Sequence, residues 1–244
     1  MKEAILKKFN NKYCSINEIV DFIESQSENT PRKTIIWNVN DLVRQGRAVR
    51  IGRGVYGFIS KKRYYPEMSE ETRRVCSILQ KQFKYLVVTI TDSGMLEQFM
   101  NLQPFSSVVV IETRKSATSS VLSELRKGGV DAYARRDYAK LEQYVVSPQP
   151  FLVKPELVVN PNLTQEDNYR SANLEKLLVD IVCDDDIYGQ YQGEELINIY
   201  INATDRYAVN YSQMLKYAAA RKKKAVVQKM LQETAEYARI RSLL

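Results

Sequence analysis

Between residues 31 and 65 stand nine lysines and arginines against a single acid, Asp41. Ammonium and guanidinium groups at that density suit one kind of chemistry, the binding of a polyanion. The excess is confined to one region. Residues 1–65 carry 13 basic and 6 acidic side chains, whereas the remainder carries 23 of each. The whole net charge of +7 therefore sits in the first quarter of the 244-residue chain.

Other chemistries are written weakly or not at all. The chain has no histidine, which excludes Ser-His-Asp hydrolysis, Cys-His proteolysis, histidine-ligated zinc and imidazole acid–base catalysis. Cys14, Cys76 and Cys183 form no C-x-x-C pair, so neither a disulfide framework nor a thiolate metal site is expected. Asp92 and the run Glu112-Thr113-Arg114-Lys115 loosely suggest a magnesium-dependent nuclease, which needs carboxylates and a lysine around the metal. The usual arrangement has one residue between acid and lysine, and here there are two. Both acids also fall where strand ends meet helix starts, which are ordinary capping positions. Asp184-Asp185-Asp186 reads as an exposed acidic turn, and Arg221-Lys222-Lys223-Lys224 as the solvated face of a helix. No phosphate-binding glycine loop is present. No catalytic residue, metal ligand or cofactor is expected.

The elements that must carry the basic residues follow from periodicity. An amphipathic helix fits Lys2 to Phe9. Ser15-Ile16-Asn17-Glu18 is a capping box that opens a second helix with Ile16, Ile19, Val20 and Ile23 on one side. Ser25 to Asn29 reads as a turn. Thr30 then precedes Pro31 as N-cap and first helical residue of a third helix, Arg32 to about Arg44, closed by Gly46. Ala48–Ile51 and Val55–Ile59 alternate like strands around Gly52-Arg53-Gly54, a β-hairpin. Three helices followed by a two-stranded wing is the order of a winged helix-turn-helix.

On the third helix, Ile35, Val39, Leu42 and Val43 converge on one face, and Lys33, Trp37, Asn40 and Arg44 on the other, with Thr34, Asn38 and Asp41 beside them. Lysine, arginine and asparagine contact phosphates and base edges in the major groove. The expected DNA-binding set is Arg32, Lys33, Thr34, Trp37, Asn38, Asn40 and Arg44 from the helix, with Arg50 and Arg53 from the wing. A lone tryptophan more often packs against a neighbouring element than against DNA, so Trp37 has two readings.

Beyond a linker at 63–72, residues 73–160 alternate strand-like and helix-like runs. Tyr85–Ile90, Phe105–Ile111 and Val130–Ala134 read as strands; Ser93–Met100, Thr118–Lys127 and Tyr138–Tyr144 read as helices. The alternation predicts a small α/β layer with parallel pairing. Pro148, Pro150, Pro155 and Pro161 impose an extended path through Phe151–Val153, read as an edge strand. Residues 161–244 are helical in pattern and hold eight of the sixteen tyrosines. The expected fold is α/β, α+β overall: a winged helix-turn-helix at 1–62, then a small α/β domain with a helical C-terminal part.

The segment Leu42-Val43-Arg44-Gln45-Gly46-Arg47-Ala48-Val49-Arg50-Ile51-Gly52-Arg53-Gly54-Val55-Tyr56 resembles the winged-helix domain of AbiEi-type antitoxins, in which a recognition helix runs into a basic-Gly segment and a Gly-Val-Tyr wing. Leu174 to Asp180 and Tyr207 to Tyr211 look like that family's C-terminal helices. The resemblance implies one half of a type IV toxin–antitoxin pair. Such a protein represses its own operon through the winged helix, and its C-terminal domain counteracts a nucleotidyltransferase toxin, without stable binding to the toxin as the usual mode. The expected partner is double-stranded DNA, an inverted repeat in the protein's own promoter, bound by two copies. A plain winged-helix regulator with an effector domain and a DNA-targeted nuclease are the competing readings. No apolar run approaches the ~18 residues of a membrane span, and the first residues lack a signal peptide's apolar region, so a cytoplasmic location is expected.

Overall fold

The computed structural model describes residues 1–26, 30–102, 104, 106–141, 149–157, 163–166 and 169–243. Parts of several expected elements therefore lie outside the described residues: 27–29 of the turn, Phe105, residues 142–144 of the short helix, Pro148 and Pro161.

The N-terminal module begins with helix α1 (Lys2–Lys8), strand β1 (Tyr13–Ser15), helix α2 (Ile16–Gln26) and helix α3 (Arg32–Arg44), and ends with strands β2 (Val49–Gly52) and β3 (Val55–Gly57). The capping box closes reciprocally. The Ser15 N–H donates to Glu18 Oε2 at 2.7 Å, and the Glu18 N–H donates to Ser15 Oγ at 3.2 Å. Helix α3 spans the expected residues, but its N-cap is Pro31 rather than Thr30. Pro31 takes an extended ψ of 135°, its carbonyl accepting from the Thr34 and Ile35 amides. Strand β1, too short to show a sequence pattern, adds to the hairpin, and the antiparallel sheet runs β1-β3-β2. Gly54 turns the hairpin at a φ of +72°. At Gly57, in the middle strand, an added Cβ would lie 3.0 Å from the Tyr13 ring and 3.1 Å from Val49 Cγ2. Ile35, Val39 and Leu42 are buried with Ile5, Ile19, Ile23 and Phe58 in one core, each contributing about 1.5–3 kcal/mol. That burial fixes which face of α3 points outward.

The rest is a mixed α/β body. Helix α4 (Glu70–Gln82) leads into strands β4 (Val88–Asp92) and β5 (Val109–Thr113), helix α5 (Thr118–Lys127), strand β6 (Ala132–Ala134), helix α6 (Arg135–Leu141), and strands β7 (Phe151–Pro155), β8 (Leu163–Glu166) and β9 (Tyr169–Ala172). The sheet order is β6-β7-β5-β4-β9-β8. Three expectations are corrected here. The stretch expected to be helical from residue 161 begins with strands β8 and β9, which extend the sheet, and its helices start only at Leu174. Strands β4 and β5 pair antiparallel, and the helical run between them is a 3₁₀ helix, Ser93–Phe99. The reason is a clamp. The Ser93 N–H donates to the Val108 carbonyl and Ser93 Oγ accepts from the Val108 N–H, so β5 starts beside the point where β4 ends and no crossover forms. Strand β7 is interior, parallel to both β5 and β6, because Pro150 precedes the ladder and Pro155 ends it.

One sheet face carries Val88, Ile90, Val109, Ile111 and Val153 against α4 and α5. The other carries Val110, Leu152 and Ala172 against helix α7 (Leu174–Cys183) and the helices after it: α8 (Glu194–Arg206), α9 (Tyr211–Ala220), α10 (Lys224–Gln232) and α11 (Ala235–Ile240). Ile51 and Val55 of the wing are buried in this second core. The segment after the wing is tied down as well. Lys62 forms a parallel bridge with Tyr207, and the buried Tyr64 ring lies edge-on to Tyr207 at 5.3 Å.

Candidate nucleic-acid interface

With the apolar face of α3 committed to the core, its outer face presents Arg32, Lys33, Thr34, Trp37, Asn40 and Arg44 to solvent, and Asn38 is half-buried. Asn38 is turned inward along the helix, its Nδ2 donating to the Thr34 carbonyl at 2.8 Å. Arg32 donates to Asn17 Oδ1 of α2 at 2.6 Å, which ties α3 to α2 at the surface. Arg44 reaches Asp41 at 3.5 Å, a loose pair one turn away.

Trp37 is 56% exposed and is not part of the module's apolar core. Its ring has cations on it: Lys2 Nζ lies 5.5 Å from the centroid and the Arg44 guanidinium 5.9 Å, the geometry of cation–π contact. Lys2 is an addition that periodicity of α3 does not reveal, because it arrives from α1 through the tertiary fold. Its ammonium donates to Asp41, and that hydrogen bond holds the Asp41 carboxyl below the usual aspartate range. Arg47 is set apart by pairing with Glu3 at 2.7 Å. A flat aromatic face flanked by cations, next to Lys33 and Asn40, is suited to phosphate and base-edge contacts.

The wing places its two arginines differently. Arg50 is exposed on β2, beside a register shift between Arg50 and Gly52, and its Nε donates to the Gly52 carbonyl at 3.3 Å. Arg53 is exposed at the hairpin tip, but its backbone is held. The Arg53 N–H donates to Ser212 Oγ of α9 at 3.1 Å, and the Gly54 carbonyl accepts from the Ile16 N–H at 2.7 Å. The wing is thus anchored to the body. Nothing in the hairpin sequence signals this, since the partner lies 159 residues away.

Elsewhere the acidic residues behave otherwise than their sequence neighbours suggest. Asp92 does cap, accepting from the Gly94 N–H at 2.9 Å and from Thr72 Oγ1 at 2.9 Å. Glu112 does not. It lies within β5, wholly buried, paired with Lys176 at 2.8 Å and Lys154 at 3.3 Å. Asp92 and Glu112 occupy opposite ends of the β4–β5 ladder, paired with Val109 and Thr89, and Lys115 is exposed beyond it. These three residues are therefore not gathered at one point. Asp184 is buried rather than part of an exposed acidic turn, reached by Lys154 and Arg221 at 2.9 Å and Arg135 at 3.0 Å. Arg221 and Lys222 belong to the turn between α9 and α10, not to a helix face; Arg221 also binds Asp180 at 2.6 Å.

No helix among the described residues is long and apolar enough to cross a membrane. Residues 34–237 match a family described as a family of unknown function, DUF6577. No curated protein and no solved structure matches the chain.

Proposed function

The chain belongs to the DUF6577 family, and we propose that it is a winged-helix DNA-binding protein that represses its own operon and serves as the antitoxin to a nucleotidyltransferase toxin. The observation that carries the DNA half is the outer face of α3, where Lys33, Asn40 and Arg44 surround the exposed Trp37 while the helix's apolar side is fully used by the core. Cations that face water without buried partners are available to phosphate, and phosphate contacts supply most of a DNA-binding protein's affinity. The antitoxin half rests on the resemblance of residues 42–56 and of the C-terminal helices to AbiEi-type antitoxins. One small module covers a half-site, so two copies on an inverted repeat are the expected complex.

A footprint of the full-length protein on its own promoter, at low salt, tests the proposal. Protection of an inverted repeat is the expected result. An unprotected promoter refutes DNA-based autorepression. Co-expression with a nucleotidyltransferase encoded beside it tests the antitoxin half separately, through rescue of growth.

A further inference from the structure

The segment Lys61-Lys62-Arg63-Tyr64-Tyr65 is not used by the DNA-binding face, yet it lines a cleft of about 830 Å³ between the winged helix and the body. One wall is the wing strand with Val49 and Arg50, and another is the start of α7 with Asn173 and Glu175. A volume of this size is that of a small-molecule site.

The charge of the cleft is lopsided. Lys61 is spoken for, paired with the buried Glu236 at 2.6 Å. Arg50, Lys62 and Arg63 are exposed and make no ion pair among the described residues. Glu175 is the carboxylate of the lining, 8% exposed, and it accepts from the Asn210 N–H at 2.7 Å. Burial pushes its carboxyl above the ordinary glutamate value, against the pull of that amide and of Arg63. Three cations thus face a cavity whose acid is turned to the protein's own backbone. The starts of α7 and α9 also meet at this cleft, capped by Asn173 and Asn210. Tyr65 stands at the same place, 66% exposed, with the Arg63 guanidinium 5.8 Å from its ring centre. Beneath it, Tyr64 is locked between Phe99 and Tyr207, so the platform is mounted on a fixed backbone.

We propose that this cleft binds a small phosphorylated ligand carrying a planar base, a nucleotide, whose phosphates meet Arg50, Lys62 and Arg63 and whose base stacks on Tyr65. Cations fix the phosphates as charge-assisted donors, and an aromatic face accepts any base. The proposal does not depend on the DNA reading, since occupancy is measured without DNA.

Calorimetric titration of the full-length protein tests it, with ATP as one probe and inorganic tripolyphosphate as the base-free probe. ATP is expected to bind saturably, one molecule per chain. The double variant Lys62→Gln, Arg63→Gln should weaken both probes by about tenfold or more, the loss of one or two charged hydrogen bonds. Tyr65→Ala should weaken ATP and leave tripolyphosphate unchanged. Lys81→Gln, on the exposed side of α4, should change neither. These side chains are exposed, and an unchanged thermal unfolding transition verifies that each variant is folded. Absence of saturable binding by both probes overturns the proposal, as does binding that the double variant retains. If neither probe binds but the double variant loses affinity for a random-sequence duplex, the cations serve the DNA backbone, and the nucleotide site is refuted.

Discussion

The two halves of the molecule use charge in opposite ways. On the winged helix, Lys33 and Arg44 stand in water, and the acid nearest to Arg44 is a loose 3.5 Å away. Between the sheet and the C-terminal helices, Glu112, Lys154, Lys176, Asp180 and Asp184 form a continuous buried network joined by the partly exposed Arg221, with Lys176 at 0% exposure. Burial works against the Lys176 ammonium, but Asp180 and Glu112 overcome it and hold its pKa above the ordinary lysine value. Exposed charge keeps its hydration and can exchange it for a ligand. Buried charge has lost that hydration and must be matched inside the protein. The exposed cations of the N-terminal module are therefore available to a ligand, whereas the buried charges of the body are matched by internal pairing.

The contrast breaks most forcefully at Lys176. Lys176→Met leaves Glu112 and Asp180 facing each other without their shared cation, and should cost about 3–5 kcal/mol of stability in urea unfolding. A cost no larger than that of an exposed lysine would mean that the network is hydrated and that the contrast between the halves is false.

Acidification probes the same network through Asp184. Burial raises its pKa, but Lys154, Arg221 and Arg135 outweigh burial and hold it below the ordinary aspartate value. A carboxyl depressed in the folded state contributes stability that is present above its unfolded pKa and is lost as pH falls through the folded value. Stability measured from neutral to acid pH should decline on that limb. Asp184→Asn should be less stable at neutral pH and lose less on acidification. An equal acid slope in both proteins would exclude Asp184 as the responsible group.

The smaller effects belong to the exposed half. Lys33→Ala and Arg44→Ala should each weaken operator binding by about 1–3 kcal/mol if the side chain reads a base, with unfolding unchanged. Arg53→Ala should weaken all sequences alike and reduce the log–log salt slope by about one unit, since a phosphate contact carries no sequence information. A change in sequence preference with an unaltered slope would make the wing tip a base reader.

Local pattern was sufficient for much of this. The capping box at Ser15, the amphipathic stripe of Ile35, Val39 and Leu42, and the Gly52–Gly54 turn are decided by neighbours within a few residues, so the order of helices and wing is legible in the chain itself. So is the outward face of α3, because the position of its apolar stripe settles the remainder. Pairing between distant segments is another matter. That β4 and β5 run antiparallel depends on Ser93 meeting Val108, and that Glu112 is a buried partner rather than a cap depends on Lys154 and Lys176 arriving from other elements. Lys2 beside Trp37, Ser212 under the wing tip and the cleft around Lys62 and Arg63 likewise join residues far apart in sequence. Periodicity records which side of an element is apolar. It holds no information about which remote side chain will meet the polar positions, and only the tertiary fold decided that.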